Sequence, residues 1–521
     1  MHLEGTKMES IVSYEANLPI LSNHDFTDEI LEIINKENLL PASLLKRLDN
    51  SFPNYLNVQN KPQNFFKDKT QYTGLQGFRE VLGVLQKNGI EIGHIEEREL
   101  FIEVYRFLVT KHVLNTINWS NFENDLLFQL VFPQPGMINS EVVELYTNAK
   151  SETERTKIAV DYIHKTNPHD GNQKLNRPSF VNDDGDLEIV DGGQHKYPQC
   201  YLIFDKTTQS CFAFCTYCFR HAQVRADEDM FNQEDVEQVH NYLRQHKEVT
   251  DVLITGGDAG YMPYARFEKY VLPIIEDDEL SHIKTIRLGT RALTFHPEMI
   301  LTKKYEKMLN LFRRINDNGI QVAWMSHFST PREVLNPSTI AAIRRLRAHG
   351  VVIRSQSPVM NHISIFRDEN GNVDIDRSAQ NWIDLANIFA MLSIGFHSMY
   401  CARPTGEHHY FTTSLSDMNK VFSKVYRSLS SLSRPSRYIT MTSSAGKTSL
   451  LGEVEVNGEK AFALKFNESR NMGWMDKVYL AKYDENETII EKLEPFDTEK
   501  YFYEDELTKI EQELKKSLPK K

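Results

Sequence analysis

Cys211, Cys215 and Cys218 lie within one short segment of a chain that has only 5 cysteines, the others being Cys200 and Cys401. Thiolates spaced C-x3-C-x2-C can hold three irons of a [4Fe–4S] cluster and leave the fourth open to a substrate or cosubstrate. Two plainer readings stand beside this one. His221, three residues past Cys218, would complete a Cys3His zinc set. Three thiols can also simply be buried, with no ligand. The cluster reading leads, because the segment follows a strand pattern closely and α/β folds place chemistry at the C-terminal ends of strands.

A second candidate is Gly256-Gly257-Asp258, at the end of an apolar run over 252–255. The glycines let the backbone approach a ligand, and the aspartate can accept from an ammonium group. The bland alternative is a tight turn with a polar cap. Lys447 sits in Ala445-Gly446-Lys447-Thr448. A P-loop would need glycine five residues before Gly446, where Met441 stands, and a helix afterwards, where the pattern from Leu450 reads as strand. Most isolated lysines are solvated surface charges. Arg220, two residues past Cys218, has the planar fork that suits a carboxylate, with a surface arginine as the alternative.

The elements that must position these residues follow from periodicity. Short apolar runs at 201–204, 252–255, 285–288, 321–325, 351–354, 394–400 and 438–440 read as strands, and amphipathic patterns at 234–247, 305–317, 339–349 and 378–392 read as helices. Such alternation predicts βαβ units and an α/β fold, a partial (β/α)6-type TIM barrel over 191–450. Residues 1–190 read as a helical N-terminal region, with helices near 74–88 and 99–117 and a polar linker or wrapping loop over 166–193. Residues 451–521 read as a small α+β extension: a hairpin centred on Asn457-Gly458 and a charged, solvated helix from Glu504.

Composition bounds the rest. At 521 residues the soft expectation is about three domains. With 40% hydrophobic and 25% charged residues, collagen-like and wholly disordered classes are excluded. A net charge of −12 argues against nucleic acid as the main partner. No stretch approaches the ~18 apolar residues of a membrane span, and the start, 1–7, has no apolar h-region, so the expected address is cytoplasmic. So few cysteines make no disulfide framework.

Taken together, Cys211/Cys215/Cys218 and Gly256-Gly257-Asp258 resemble the radical S-adenosylmethionine superfamily, and within it the lysine 2,3-aminomutase family. His195-Lys-Tyr-Pro198, Arg287-Leu-Gly-Thr-Arg291, Ser326-His327-Phe328, Gln356-Ser357 and Ala445-Gly446-Lys447-Thr448 follow the family's order over roughly half the chain. The resemblance implies a [4Fe–4S] cluster on the three cysteines, S-adenosylmethionine, and pyridoxal phosphate on Lys447. It implies cofactor-binding roles for Gly256, Gly257, Asp258, Arg291, His327 and Gln356, and a substrate-carboxylate role for Arg220. It further implies a small amino acid substrate, an electron donor such as flavodoxin or ferredoxin, and a homo-oligomer.

Departures from the family are equally specific. The two aspartates that hold lysine's distal ammonium in true lysine aminomutases match Ala402 and Thr440 here, and Arg403 follows. The arginine on the first strand that helps hold the cofactor phosphate matches Cys200. No cysteine lies beyond Cys401, so the C-terminal zinc site of some members has no ligands here. The expected function is therefore a 2,3-aminomutase acting on an amino acid other than lysine, with glutamate, or another acidic or neutral amino acid, preferred. Two alternatives stay open: a radical enzyme of this fold without pyridoxal phosphate, and a zinc-stabilised binding protein.

Overall fold

The computed structural model describes residues 26–53, 64–166, 173–225, 230–404 and 406–517. The start of the chain, 1–7, and residues 167–172 of the polar stretch lie outside these.

The N-terminal region is helical, with α1 (Asp28–Lys36), α2 (Ala42–Ser51), α3 (Gly74–Lys87), α4 (Ile95–Val104), α5 (Lys111–Thr116), α6 (Leu126–Val131), α7 (Ser140–Thr147) and α8 (Glu152–Thr166). On α3, Phe78, Val81 and Leu85 are buried at helical spacing, as the sequence predicts, and the chain leaves through Asn88 and a left-handed Gly89. The helix expected over 99–117 is broken. It stops at Val104, and Leu108–Thr110 becomes β2, paired antiparallel with β1 (Gln71–Thr73). Val109 finds a cross-strand partner in Tyr72, and Thr110 caps α5 by accepting from the Val113 amide. Aromatic packing outweighs the helical period here: Trp119 meets Phe128 and Phe132 with ring centroids 6.0 and 5.8 Å apart.

From residue 173 the polar stretch carries secondary structure. It holds a 3-10 turn at Gln173–Asn176 and a hairpin of β3 (Ser179–Val181) and β4 (Leu187–Ile189), whose Asn182 side chain accepts from the amides of Asp184 and Asp186.

One mixed sheet of 11 strands organises the remainder, running in sequence order from β5 to β15. β5 (Gly193–Tyr197) pairs antiparallel with β6 (Cys200–Phe204). From β6 the strands are parallel through β7 (Asp251–Thr255), β8 (Thr285–Gly289), β9 (Gln321–Ser326), β10 (Val352–Val359), β11 (Gly395–Cys401) and β12 (Ile439–Thr442). Helices α9 (Val236–Gln245), α10 (Tyr264–Glu276), α11 (Glu306–Asp317), α12 (Pro337–Ala348), α13 (Ile375–Leu392) and α14 (Leu415–Ser428) alternate with them. α11 buries Met308, Leu309, Leu311, Phe312 and Ile315, one apolar face at the spacing a sheet-covering helix requires. α12 opens on Asn336, whose side chain accepts from the Ser338 amide, with Pro337 in the first turn.

The sheet then turns antiparallel through β13 (Gly446–Val456), β14 (Glu459–Ser469) and β15 (Val478–Lys482). Asn457 and Gly458 both take positive φ, the turn expected of that dipeptide. The tail helix α15 (Glu504–Ser517) is not wholly solvated: Leu507 and Ile510 pack on the core, and Glu506 accepts from the Trp474 indole at 2.7 Å. The sheet curls strongly. Lys196 of β5 donates to the Ser443 carbonyl beyond β12, and Lys447 of β13 stands 5.0 Å over the Tyr197 ring.

Candidate active site

The sequence-selected residues gather at the C-terminal ends of the parallel strands, where ligands bind in α/β sheets. β6 leads through a 3-10 turn (Lys206–Thr208) into the cysteine loop, and β7 runs directly into Gly256. Gly256 has φ +141, and a Cβ there would stand 2.3 Å from Thr208 Oγ1; one on Gly257 would stand 2.7 Å from the Ser210 carbonyl. The amides of Gly257 and Asp258 donate to the Thr208 carbonyl at 2.8 and 3.0 Å. What the two glycines admit is therefore the backbone entering Cys211. Asp258 is likewise a brace: its oxygens accept from the amides of Gly260 (2.8 Å) and Arg291 (2.9 Å). Burial pushes its carboxyl up to about 6 against those donors.

The cysteine loop is held from two sides. The N-terminal region bonds its backbone: Phe214 N donates to Leu108 O (2.7 Å), Thr216 N to Leu130 O (2.9 Å), and Gln71 donates to Phe212 O (2.8 Å). Arg291, buried and ion-paired with Glu333, donates to Cys215 Sγ at 3.2 Å. All three thiols are free and half-buried. Burial pushes the Cys218 thiol up to about 12, and coordination to iron is the kind of cationic contact that deprotonates such a group. Ligands of one zinc, each at about 2.3 Å, crowd within about 4 Å of one another. Among the described residues the three-membered group whose ligand atoms lie within 4.8 Å is His195, His246 and Glu248, not the cysteines with His221. Wider spacing suits thiolates on separate irons, so the loop fits a cluster. The histidine group is already satisfied: His195 meets the Tyr242 hydroxyl at 2.5 Å and the Pro198 carbonyl at 3.0 Å. His195 thus braces the β5–β6 turn.

Beside the loop opens a cavity of about 370 Å³, and Arg220, His327, Gln356, Arg403 and Lys447 all line it. Cys211, Cys215, Cys218, Gly256–Asp258 and Arg291 are not in its lining, whereas Tyr217, Phe219 and Arg220 are. Arg220 links the two parts, donating to Thr255 Oγ1 at 2.8 Å and Gly256 O at 3.3 Å. Burial, with Arg291 and Arg220 near, holds His327 down at about 3, so it is neutral at pH 7 and shares a hydrogen bond with Gln356.

At the far wall Lys447 Nζ is 2.5 Å from Glu468 Oε2. Lys196, Arg403 and Arg470 also line the cavity, and Glu491 is the one carboxylate residue in the lining. Arg470 donates to Ser444 O (2.9 Å) and Asn176 Oδ1 (2.6 Å). Burial, then Arg470 and Arg403, drives the Lys196 ammonium well below its ordinary pKa. That surplus of positive charge in an enclosure is a chemical fit for a phosphate. Cys200 lines the cavity and accepts from Arg287 at 2.8 Å. Ala402 lines it too, whereas Thr440 is buried among Ser449 and Asn467, outside the lining.

No family profile matches the chain. A putative L-lysine 2,3-aminomutase from Aquifex aeolicus is 25% identical over 368 residues, 70% of this chain and 83% of its own length. The chain is similar in sequence to proteins named as L-lysine 2,3-aminomutases. Glutamate 2,3-aminomutase of Clostridioides difficile is 28% identical over 169 residues, 32% of this chain and 37% of its own. L-lysine 2,3-aminomutase of Clostridium subterminale is 27% identical over 176 residues, 34% and 39%. Among solved structures, a radical SAM methyltransferase from Sphaerobacter thermophilus overlaps 70% of this chain and 92% of its own, at 14% identity and a TM-score of 0.29.

Three charged residues of this region were not singled out by the sequence: Lys196 and Arg470, which line the cavity, and Glu468, which pairs with Lys447. Lys196 had a signal: it lies inside the His195–Pro198 motif, with Gln194 two positions earlier on the same strand face. Glu468 and Arg470 had none, because their role depends on β14 folding back beside Lys447.

Proposed function

We propose that this protein is a radical S-adenosylmethionine enzyme, a pyridoxal-phosphate-dependent 2,3-aminomutase built on a partial barrel, whose amino acid substrate is acidic or neutral rather than lysine. The observation that carries the reading is one cavity bounded by Arg220 beside the cysteine loop and by Lys447 opposite, with a cationic lining. When bound, the cluster supplies an electron to S-adenosylmethionine, and pyridoxal phosphate carries the amino group through its shift between adjacent carbons.

The chain's own residues bind and orient. Cys211, Cys215 and Cys218 hold the cluster. Lys196 and Arg470, which bond the Ser443 and Ser444 carbonyls, would hold the cofactor phosphate. Arg220 offers its fork to the substrate carboxylate, placing the reacting carbons between loop and lysine. Glu468 holds the Lys447 Nζ proton until the cofactor arrives. Buried Tyr217, Phe411 and Met360 in the lining exclude water from reactive intermediates. Ala402 gives no counter-charge to a distal ammonium, and Arg403 beside it repels one.

The test is anaerobic reconstitution with iron, sulfide and pyridoxal phosphate, then incubation with all twenty amino acids, S-adenosylmethionine and a reductant. β-Amino acid from glutamate or a neutral amino acid, at a rate above that from lysine, is the expected result. Absence of any β-amino product from protein that still yields 5′-deoxyadenosine would overturn it. The Lys447–Glu468 ion pair favours one second reading, radical chemistry without pyridoxal phosphate, with Lys447 a structural cation. Borohydride labelling decides: cofactor fixed on Lys447 excludes it.

A further inference from the structure

The residues that line the cavity after β11 include Arg403, Pro404, His408 and Phe411. Within this connection His408 Nδ1 lies 2.8 Å from the Arg403 carbonyl, so Arg403's backbone is set by where 406–411 is held. That hold comes from the N-terminal region. Glu407, 3% exposed, accepts from the Tyr105 hydroxyl at Oε1 (2.8 Å) and from the Tyr162 hydroxyl at Oε2 (3.1 Å). The Gly406 amide donates to the carbonyl of Thr166, at the end of α8 (3.2 Å). Tyr105 also reaches the other half of the site. Its ring stacks 6.4 Å from Phe214, inside the cysteine loop, and meets His221 edge-on at 5.1 Å.

We propose that Glu407 is a positioning residue that fastens the Arg403 segment to the N-terminal helices and, through Tyr105, sets its place relative to the cysteine loop. A buried carboxylate is costly without donors, and two hydroxyls from α8 and the end of α4 are a specific answer to that cost. Each tyrosine serves a different oxygen, and Oε2 also has His409 Nδ1 at 3.6 Å. The helical region is then a template for the site: it bonds the cysteine loop at Phe212, Phe214 and Thr216 and the Arg403 segment at Gly406 and Glu407. The role of Arg403 rests on the function proposed above; the latch itself does not.

The experiment uses the anaerobically purified full chain carrying Tyr105→Phe together with Tyr162→Phe, which keeps both rings and removes both donors. Hydrogen exchange of the Gly406, His408 and Tyr410 amides is expected to quicken at least tenfold, while amides of β9 stay unchanged and iron content is retained. The KM for the amino acid then rises more than kcat falls, and Glu407→Gln, which keeps one acceptor oxygen, lies between wild type and the double variant. Unaltered exchange at 406–410, or an equal rise throughout β9, would overturn the latch. Failure of the proposed reaction would leave the exchange result to decide, so the two are separable.

Discussion

Lys447 and Glu468 stand directly opposite each other on β13 and β14, with Nζ 2.5 Å from Oε2. Burial alone would raise the Glu468 pKa, but Lys447 and then Arg437 hold it down at about 2. Burial alone would lower that of Lys447, but Tyr400 and Glu468 raise it. The carboxylate's stabilisation is therefore complete above its unfolded pKa of about 4.3 and lost as pH falls toward about 2. The ammonium's is complete below about 10.4 and lost as pH rises further. Glu468→Gln is expected to cost about 2 kcal/mol at pH 7, measured by denaturant unfolding, with the difference from wild type vanishing near pH 2. It also frees Nζ at lower pH, so borohydride fixation of pyridoxal phosphate on Lys447 should quicken about tenfold at pH 7, one pKa unit's worth. An unchanged rate would show that Glu468 does not govern this proton.

Each of Cys211→Ala, Cys215→Ala and Cys218→Ala is expected to abolish iron–sulfur loading and formation of 5′-deoxyadenosine, because each thiolate serves a different iron. Cys200→Ala and Cys401→Ala line the cavity and should keep full iron and sulfide content. Iron analysis and electron paramagnetic resonance of the reduced proteins check both halves.

Gly256→Ala and Gly458→Ala separate strain from contact. At Gly458, φ is +86 and nothing lies within 4 Å of an added Cβ, so only the backbone penalty of about 1–2 kcal/mol applies. At Gly256 the new Cβ also meets Thr208 at 2.3 Å, and relief must shift the segment that enters Cys211. A loss of about 3 kcal/mol or more, with reduced iron content, is expected there and not at Gly458. Equal Tm shifts and normal iron in both would refute the packing role.

Selectivity is expected to respond at 402 and 403 and not at 440. Ala402→Asp with Arg403→Leu puts a carboxylate in the cavity wall and removes the repelling charge, so lysine turnover should rise relative to glutamate. Thr440→Asp lies outside the lining and should leave the ratio unchanged while lowering Tm. Competition assays with paired amino acids measure the ratio, and efficient lysine turnover by the unaltered protein would overturn the premise.

Much of this was legible in the sequence because periodicity and spacing are local. The short apolar runs over 285–288 and 321–325 placed β8 and β9 correctly, and Asn457-Gly458 marked its turn. The helix expected over 99–117 failed because Val109 and Thr110 were claimed by a strand partner some 37 residues earlier, a contact no local pattern carries. The same limit governs the site. The sequence alone determined which side chains could hold a cluster, Cys211, Cys215 and Cys218, and that Lys447 sat in a setting unlike a P-loop. Only the tertiary structure decided that Gly256 packs against Thr208, that Asp258 is a brace, that Glu468 pairs with Lys447, and that Arg470 and Lys196 line the same cavity as Lys447. It alone brought Tyr105 and Tyr162 to Glu407 across more than 240 residues. Covalent spacing fixes only near neighbours; the curl of one sheet and the burial that drives it choose which distant residues share a cavity.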